Sequence, residues 1–258
     1  MTVVATNGTR LNVHVTGDGP PLVMLHGWPH TGRLWQPVLP LLTDRTIIAP
    51  DLRGLGDSAP AAGGFDAGTG AADIIGLLDA LGIDSAEVAA IDAAVPTAFL
   101  LGARHPERIT RLVLMEGTLP GGFASPPWWF GFHAVPGLAE TVVAGHEAAY
   151  LDFFLKSGSY RGVPADIREA FVRAYTGPDR LRRGFGYYRV AAQNAALVRD
   201  AGRLAVPTLA LGGSVVGDRL HRQLVPIADD LSGELLDRCA HLVPIDRPDA
   251  LAARLQPS

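Results

Sequence analysis

The sequence contains a single cysteine, Cys239, and a single lysine, Lys156, among its 258 residues. One thiol cannot close an internal disulfide, so nothing in the chain calls for an oxidising compartment. Long apolar runs are also missing. The start, Met1-Thr2-Val3-Val4, passes into a glycine-containing turn without a basic flank. Neither a signal peptide nor a membrane anchor is therefore expected, and a cytoplasmic location fits. Positive charge is not in excess, the formal net charge being -4. The chain offers no broad positive field for a polyanion, so nucleic acid is not an expected partner. His14, His30, His105, His133, His146 and His221 show no metal-ligand spacing. No metal or other cofactor is expected, and these six histidines are assigned no role. Oligomeric state is not legible. The preference for arginine over lysine reflects genome bias rather than function.

What is present is a globular balance, with 48% hydrophobic and 19% charged residues. A chain of this length can be one α/β domain with an insertion. Residues 3–6 and 11–15 are rich in β-branched side chains and are parted by Asn7-Gly8, a hairpin signal. The apolar runs at 22–25, 46–49, 88–91 and 112–115 each end at a loop. Helical spacing over 33–42, 71–81 and 96–103 alternates with them, which is the βα rhythm of a parallel sheet flanked by helices. From 119 to 199 aromatics cluster and no strand pattern occurs, so this stretch is expected to be an inserted helical cap. The core is then 1–118 and 200–258. The rhythm returns with a strand at 208–211, a helix near 219–228, a strand near Leu235 and a closing helix at 248–255.

Ligands of open parallel sheets bind beyond the C-terminal strand ends, so residues just after strands are the first candidates for chemistry. Four places qualify: His26-Gly27-Trp28-Pro29, Asp92, Glu116 and His241. The first of these resembles the oxyanion loop of the α/β-hydrolase superfamily. Asp51-Leu52-Arg53-Gly54-Leu55-Gly56-Asp57-Ser58 resembles that family's loop after the fourth strand, and Cys239-Ala240-His241-Leu242-Val243-Pro244 its histidine loop. The motifs run through both halves of the core in the family's order. The resemblance implies an α/β-hydrolase fold, a mostly parallel sheet with flanking helices and an inserted cap.

The segment Val88-Ala89-Ala90-Ile91-Asp92-Ala93-Ala94-Val95-Pro96 occupies the place of the nucleophile elbow, where the family usually has serine between glycines. A literal Gly-x-Ser-x-Gly occurs nowhere in the chain. Either Asp92 is the nucleophile, as in epoxide hydrolases and haloalkane dehalogenases, or the elbow is degenerate. Ala90 and Ala94 keep the second reading open, because alanine tolerates positive φ less well than glycine. Glu116 is the favoured acid partner of His241. Asp218 is the alternative, and reads otherwise as an N-cap of the helix beginning at Arg219. His241 alone would pass for a half-buried loop histidine. In order with Asp92 and Glu116 it reads as a general base.

A carboxylate nucleophile suits attack on an sp³ carbon bearing a leaving group, because the ester formed can be hydrolysed at its own carbonyl. The resemblance implies an oxyanion hole from the backbone N–H groups of Trp28 and Ala93. An epoxide oxygen needs a proton donor and a halide only N–H groups, and the resemblance implies that such donors come from the cap. Trp129 and Tyr188 are expected to face Asp92, with Trp128 and Tyr187 as alternatives; the competing reading is that all four only pack the cap on the core. Haloalkane dehalogenases usually have Trp after the nucleophile, where this chain has Ala93. The arginine clamp of fluoroacetate dehalogenases is absent from Ala93-Ala94-Val95-Pro96. With Trp28, Phe123, Phe130 and Phe132 near the mouth, the expected substrate is an apolar small molecule, aromatic or polycyclic, of the kind met in specialised metabolism. Epoxide hydrolysis leads, carbon–halogen hydrolysis follows, and a ligand receptor or cyclisation cage is the non-hydrolytic reading.

Overall fold

The computed structural model describes residues 1–257. Eight strands form one sheet: β1 (Thr2–Thr6), β2 (Thr9–Thr16), β3 (Pro21–Leu25), β4 (Thr46–Pro50), β5 (Ala86–Ile91), β6 (Ile109–Met115), β7 (Thr208–Gly212) and β8 (Leu231–Leu235). Their order across the sheet is β1-β2-β4-β3-β5-β6-β7-β8. β2 pairs antiparallel with both β1 and β4, and every pairing from β4 through β8 is parallel. The opening hairpin turns at Asn7 and Gly8, both at positive φ, as a two-residue turn matched to strand twist requires.

The central strands are buried on both faces, which is why they read as continuous apolar runs. Val23, Leu25, Val88 and Ala90 point into one core layer, and Leu22, Met24, Ala89 and Ile91 into the other. Two helices cover the first layer, α1 (Ala67–Ala80) and α2 (Val95–Arg104).

Between β6 and β7 lie six helices: α3 (Trp128–Ala134), α4 (Leu138–Val143), α5 (Glu147–Ser157), α6 (Ala165–Tyr175), α7 (Pro178–Gly186) and α8 (Ala191–Arg199). The first five roof the C-terminal strand ends. α8 instead leans on the core, where Asn194 Oδ1 accepts from the Ala67 N–H at 2.8 Å and the Leu197 carbonyl from Arg104 at 2.9 Å. The chain closes with α9 (Arg219–Leu224), α10 (Val243–Asp246) and α11 (Pro248–Leu255). Among the described residues no helix is long and apolar enough to cross a membrane.

One expected helix is not there. Residues 33–42 form two 3₁₀ turns, Gly32–Trp35 and Leu39–Leu41, instead of an α-helix. Pro37 and Pro40 remove two N–H donors, and each disfavours helical geometry in the residue before it, so the apolar spacing cannot be realised as an α-helix.

Candidate active site

Asp92 stands where β5 stops, with φ at +58°. The bend lifts its carboxylate off the strand end towards the cap, and the side chain is 24% exposed. The flanking alanines carry none of the strain. Ala90 lies within β5, and Ala94 has φ at −84°. Room for the bend comes from other loops. A Cβ on Gly27 would lie 2.3 Å from Asp92 Oδ1 and 2.8 Å from the Ala93 nitrogen, and one on Gly117 would lie 2.6 Å from the Asp92 carbonyl oxygen. The Ala-flanked elbow is thus sterically sound because glycines outside it give way.

Oδ1 of Asp92 accepts the Trp28 N–H at 2.8 Å. The loop bearing Trp28 is itself fixed by His26, whose Nε2 accepts from the Leu52 N–H at 3.0 Å. Nδ1 must then carry the proton, and it donates to the Gly27 carbonyl at 2.8 Å. Asp51 ties the same loop down, accepting from the N–H groups of Gly32 and Asp57 at 2.8 and 2.9 Å.

Oδ2 of Asp92 lies 3.3 Å from His241 Nε2, and His241 Nδ1 lies 3.5 Å from Glu116 Oε2. Both are charge contacts, and Nδ1 has no well-formed hydrogen bond. Burial by itself would strip the proton from His241, but Asp92 and Glu116 on either side outweigh it and raise the pKa to about 10. Burial likewise works against the Asp92 carboxylate; His241, together with the Ala93 N–H, holds its pKa below the ordinary value.

Glu116 has φ at +41°, and its side chain is fully inaccessible. Oε1 accepts from the Gly213 N–H at 2.5 Å, and Oε2 from the Val216 N–H at 3.0 Å. The loop after β7 therefore cradles Glu116 instead of supplying an acid of its own. Asp218 is corrected as the alternative acid and stands, as its other reading had it, at the N-cap position of α9. It is exposed and bound to Arg222 at 2.5 Å, and although it sits at the N-cap position its side chain makes no capping bond. A partner one turn along the same helix has taken that carboxylate.

The four aromatic candidates of the cap separate. Tyr188 packs 5.6 Å from the Trp28 ring and 4.5 Å from His133, ring centre to ring centre. Burial first, and then the negative charge of Asp92, push its hydroxyl well above the usual phenol range. Tyr187 turns away, donating to the Arg53 carbonyl at 2.9 Å with its ring on Phe65. Trp128 is 57% exposed and belongs to the outer surface of α3. Trp129 is half-buried, 5.5 Å from Phe154, which in turn lies 4.9 Å from Trp28. It stands one ring removed from the oxyanion loop. Two adjacent residues on a helix point about 100° apart, and here Trp128 takes the outward direction and Trp129 the inward one.

Four neighbours were not singled out from the sequence. The buried His30 ring lies 6.0 Å from that of His241, and burial lowers its pKa to about 3. Tyr175 donates to the His30 carbonyl at 3.1 Å. His133 is buried, stacked 4.3 Å from Phe185, and 2.6 Å from the Tyr150 hydroxyl; burial lowers its pKa also to about 3. The available signal was helical spacing, since Trp129 and His133, like Tyr150 and Phe154, are four apart and share a face.

A model of the α/β hydrolase fold matches residues 20–161. The chain belongs to the α/β-hydrolase family. The soluble epoxide hydrolase of Corynebacterium sp. (strain C12) is 32% identical over 94% of this chain and 91% of its own length. Among solved structures, Cfl2 of Burkholderia cenocepacia superposes with a TM-score of 0.93 at 31% identity, covering 98% of this chain and 93% of its own. The epoxide hydrolase CorEH gives 0.90 at 29% identity, covering 98% and 96%. The protein is an epoxide-hydrolase-like enzyme of this α/β-hydrolase family.

Proposed function

We propose that the enzyme opens an epoxide of an apolar small molecule through a covalent ester on Asp92. The observation that carries this reading is the division of labour within one carboxylate: Oδ1 is anchored on the Trp28 N–H, and Oδ2 is left facing His241 and the pocket. An oxygen held this way is ready to be the carbonyl of an ester while its twin attacks.

Asp92 Oδ2 forms a bond to an epoxide carbon, the ring C–O bond breaks, and its electron pair stays on the epoxide oxygen. Tyr188, kept protonated by burial and by the nearby charge of Asp92, donates its proton to that oxygen. Esterification neutralises Asp92 and removes one of the two charges that hold the proton on His241, so its pKa falls. The imidazolium proton then restores Tyr188. Neutral His241 takes a proton from water as the water oxygen attacks Cγ, and the oxyanion on Oδ1 rests on the N–H groups of Trp28 and Ala93. The Cγ–Oδ2 bond breaks, the diol leaves with Oδ2 and a proton from His241, and the proton of the regenerated Asp92 acid returns to His241. Atoms, charges and protons balance, and no cofactor is required.

Support for an epoxide over a halide comes from Tyr188, a group able to deliver a proton as well as a hydrogen bond. The experiment is interception. His241→Ala should form the ester and fail to hydrolyse it. Incubated with a panel of epoxides and haloalkanes, this variant should gain the mass of a whole epoxide on the peptide containing Asp92. A mass lacking halide would move the reading to dehalogenation. A function retained by both Asp92→Ala and His241→Ala would leave only the receptor or cage.

A further inference from the structure

Asp246 ends α10, five residues after His241, and is 2% exposed. Among the described residues no cation pairs with it. Its charge is met by four donors instead. Oδ1 accepts the Ser159 hydroxyl at 2.6 Å and the Arg161 N–H at 3.0 Å, and Oδ2 accepts the N–H groups of Tyr160 at 3.1 Å and Ala240 at 2.9 Å. Three of these donors lie in the loop joining α5 to α6, in the cap; the fourth is the residue before His241. The bonding is reciprocal. The carbonyl of Gly158, in the same cap loop, accepts from the N–H groups of His241 and Leu242 at 2.9 and 2.8 Å. A buried carboxylate is costly unless fully bonded, so this arrangement opposes separation of the two loops.

The cap side of the joint leads directly into the helix that packs on the oxyanion loop. Gly158 follows α5, which carries Tyr150 and Phe154, and Phe154 packs edge-on to Trp28 at 4.9 Å. The loop that follows this helix therefore holds the backbone N–H groups of His241 and Leu242.

We infer that Asp246 is a positioning residue: it locks the α5–α6 loop of the cap to the histidine loop, so that α5 and the His241 ring are set as one unit. This rests on the covalent route above. In that route alkylation needs Asp92, the Trp28 N–H and Tyr188, whereas ester hydrolysis needs an imidazole placed to a fraction of an ångström. Loss of the lock therefore falls on the second step.

The test separates the steps by rapid quench, following ester formation and ester decay by intact mass. Asp246→Asn sets an NH₂ group against donors on one side of the carboxyl. Its ester formation should stay within about threefold of wild type while decay slows by roughly 10- to 100-fold, so that ester accumulates. Ser159→Ala removes one donor of the four and leaves the backbone intact; it should slow the same step by a few-fold, which keeps the test available if Asp246→Asn folds poorly. Equal loss in both steps, or an unchanged decay rate in both variants, overturns the inference. Failure of the underlying route looks different: no ester would form on Asp92 even in wild type or His241→Ala.

Discussion

The Val216 N–H donates to both carboxylate oxygens of Glu116, at 3.2 and 3.0 Å. The loop after β7, in which the sequence offered Asp218 as the alternative acid, contributes its backbone to an acid arriving from β6. The cradle predicts that Glu116→Gln slows ester hydrolysis by about 100-fold or more, because the imidazolium loses its counter-charge. It should also cost about 1–3 kcal/mol of stability, because an amide cannot accept at every position. Asp218→Asn, which breaks only an exposed pair with Arg222, should shift stability by under about 0.5 kcal/mol. Denaturant melts and single-turnover rates on both variants check this.

Gly27 is predicted to be as sensitive as any reacting residue. A methyl group at 2.3 Å from Asp92 Oδ1 must displace the carboxylate or the loop, so Gly27→Ala should lower alkylation by about 100-fold or more. Ala94→Gly should restore nothing and cost about 0.5–1 kcal/mol, since Ala94 already sits at a helical φ of −84°. Alkylation rates and thermal melts of the two variants should diverge in this direction.

In the cap, Tyr188→Phe should slow alkylation by about 100-fold with little change in ester decay. Tyr187→Phe and Trp128→Phe should stay within a few-fold of wild type, because one hydroxyl is engaged by the Arg53 carbonyl and the other ring faces outward. Equal effects of Tyr187→Phe and Tyr188→Phe in rapid-quench assays would contradict the assignment.

Stability should fall on both sides of a maximum near pH 6.5. His30 and His133 stay neutral in the fold, with pKa lowered to about 3, whereas the unfolded chain takes up these protons near 6.5. The unfolded state thus binds more protons between these values, and stability is lost as pH falls from about 6.5 towards about 3. His241 has the opposite sign. Its pKa is raised to about 10, so its contribution is complete below about 6.5 and is lost as pH rises to about 10. Thermal melts across pH should show both limbs, with His30→Gln flattening the acid one and His241→Asn the alkaline one.

The central strands were legible because they are buried on both faces and so appear as uninterrupted apolar runs. Asp92 and Glu116 each directly follow such a run, whereas His241 lies six residues past the half-exposed β8 and was picked out by the resemblance of its loop. Residues 33–42 misled because apolar spacing persisted through two prolines that forbid the helix it implies. The roles of Gly27 and Gly117 were hidden, since their need for a missing Cβ arises from Asp92, distant in sequence. In the cap, spacing showed helices but not which face turns inward, so Tyr188 was favoured over Tyr187 without a geometric ground, and His133 and Tyr150 were not seen as partners.

The central claim is that the oxygen added to substrate comes first from Asp92. With enzyme in excess over an accepted epoxide in ¹⁸O-labelled water, one turnover should give unlabelled diol and leave the label in the peptide bearing Asp92. Diol carrying ¹⁸O in that first turnover, with Asp92 unlabelled, would mean that water attacks the epoxide directly and that no ester forms.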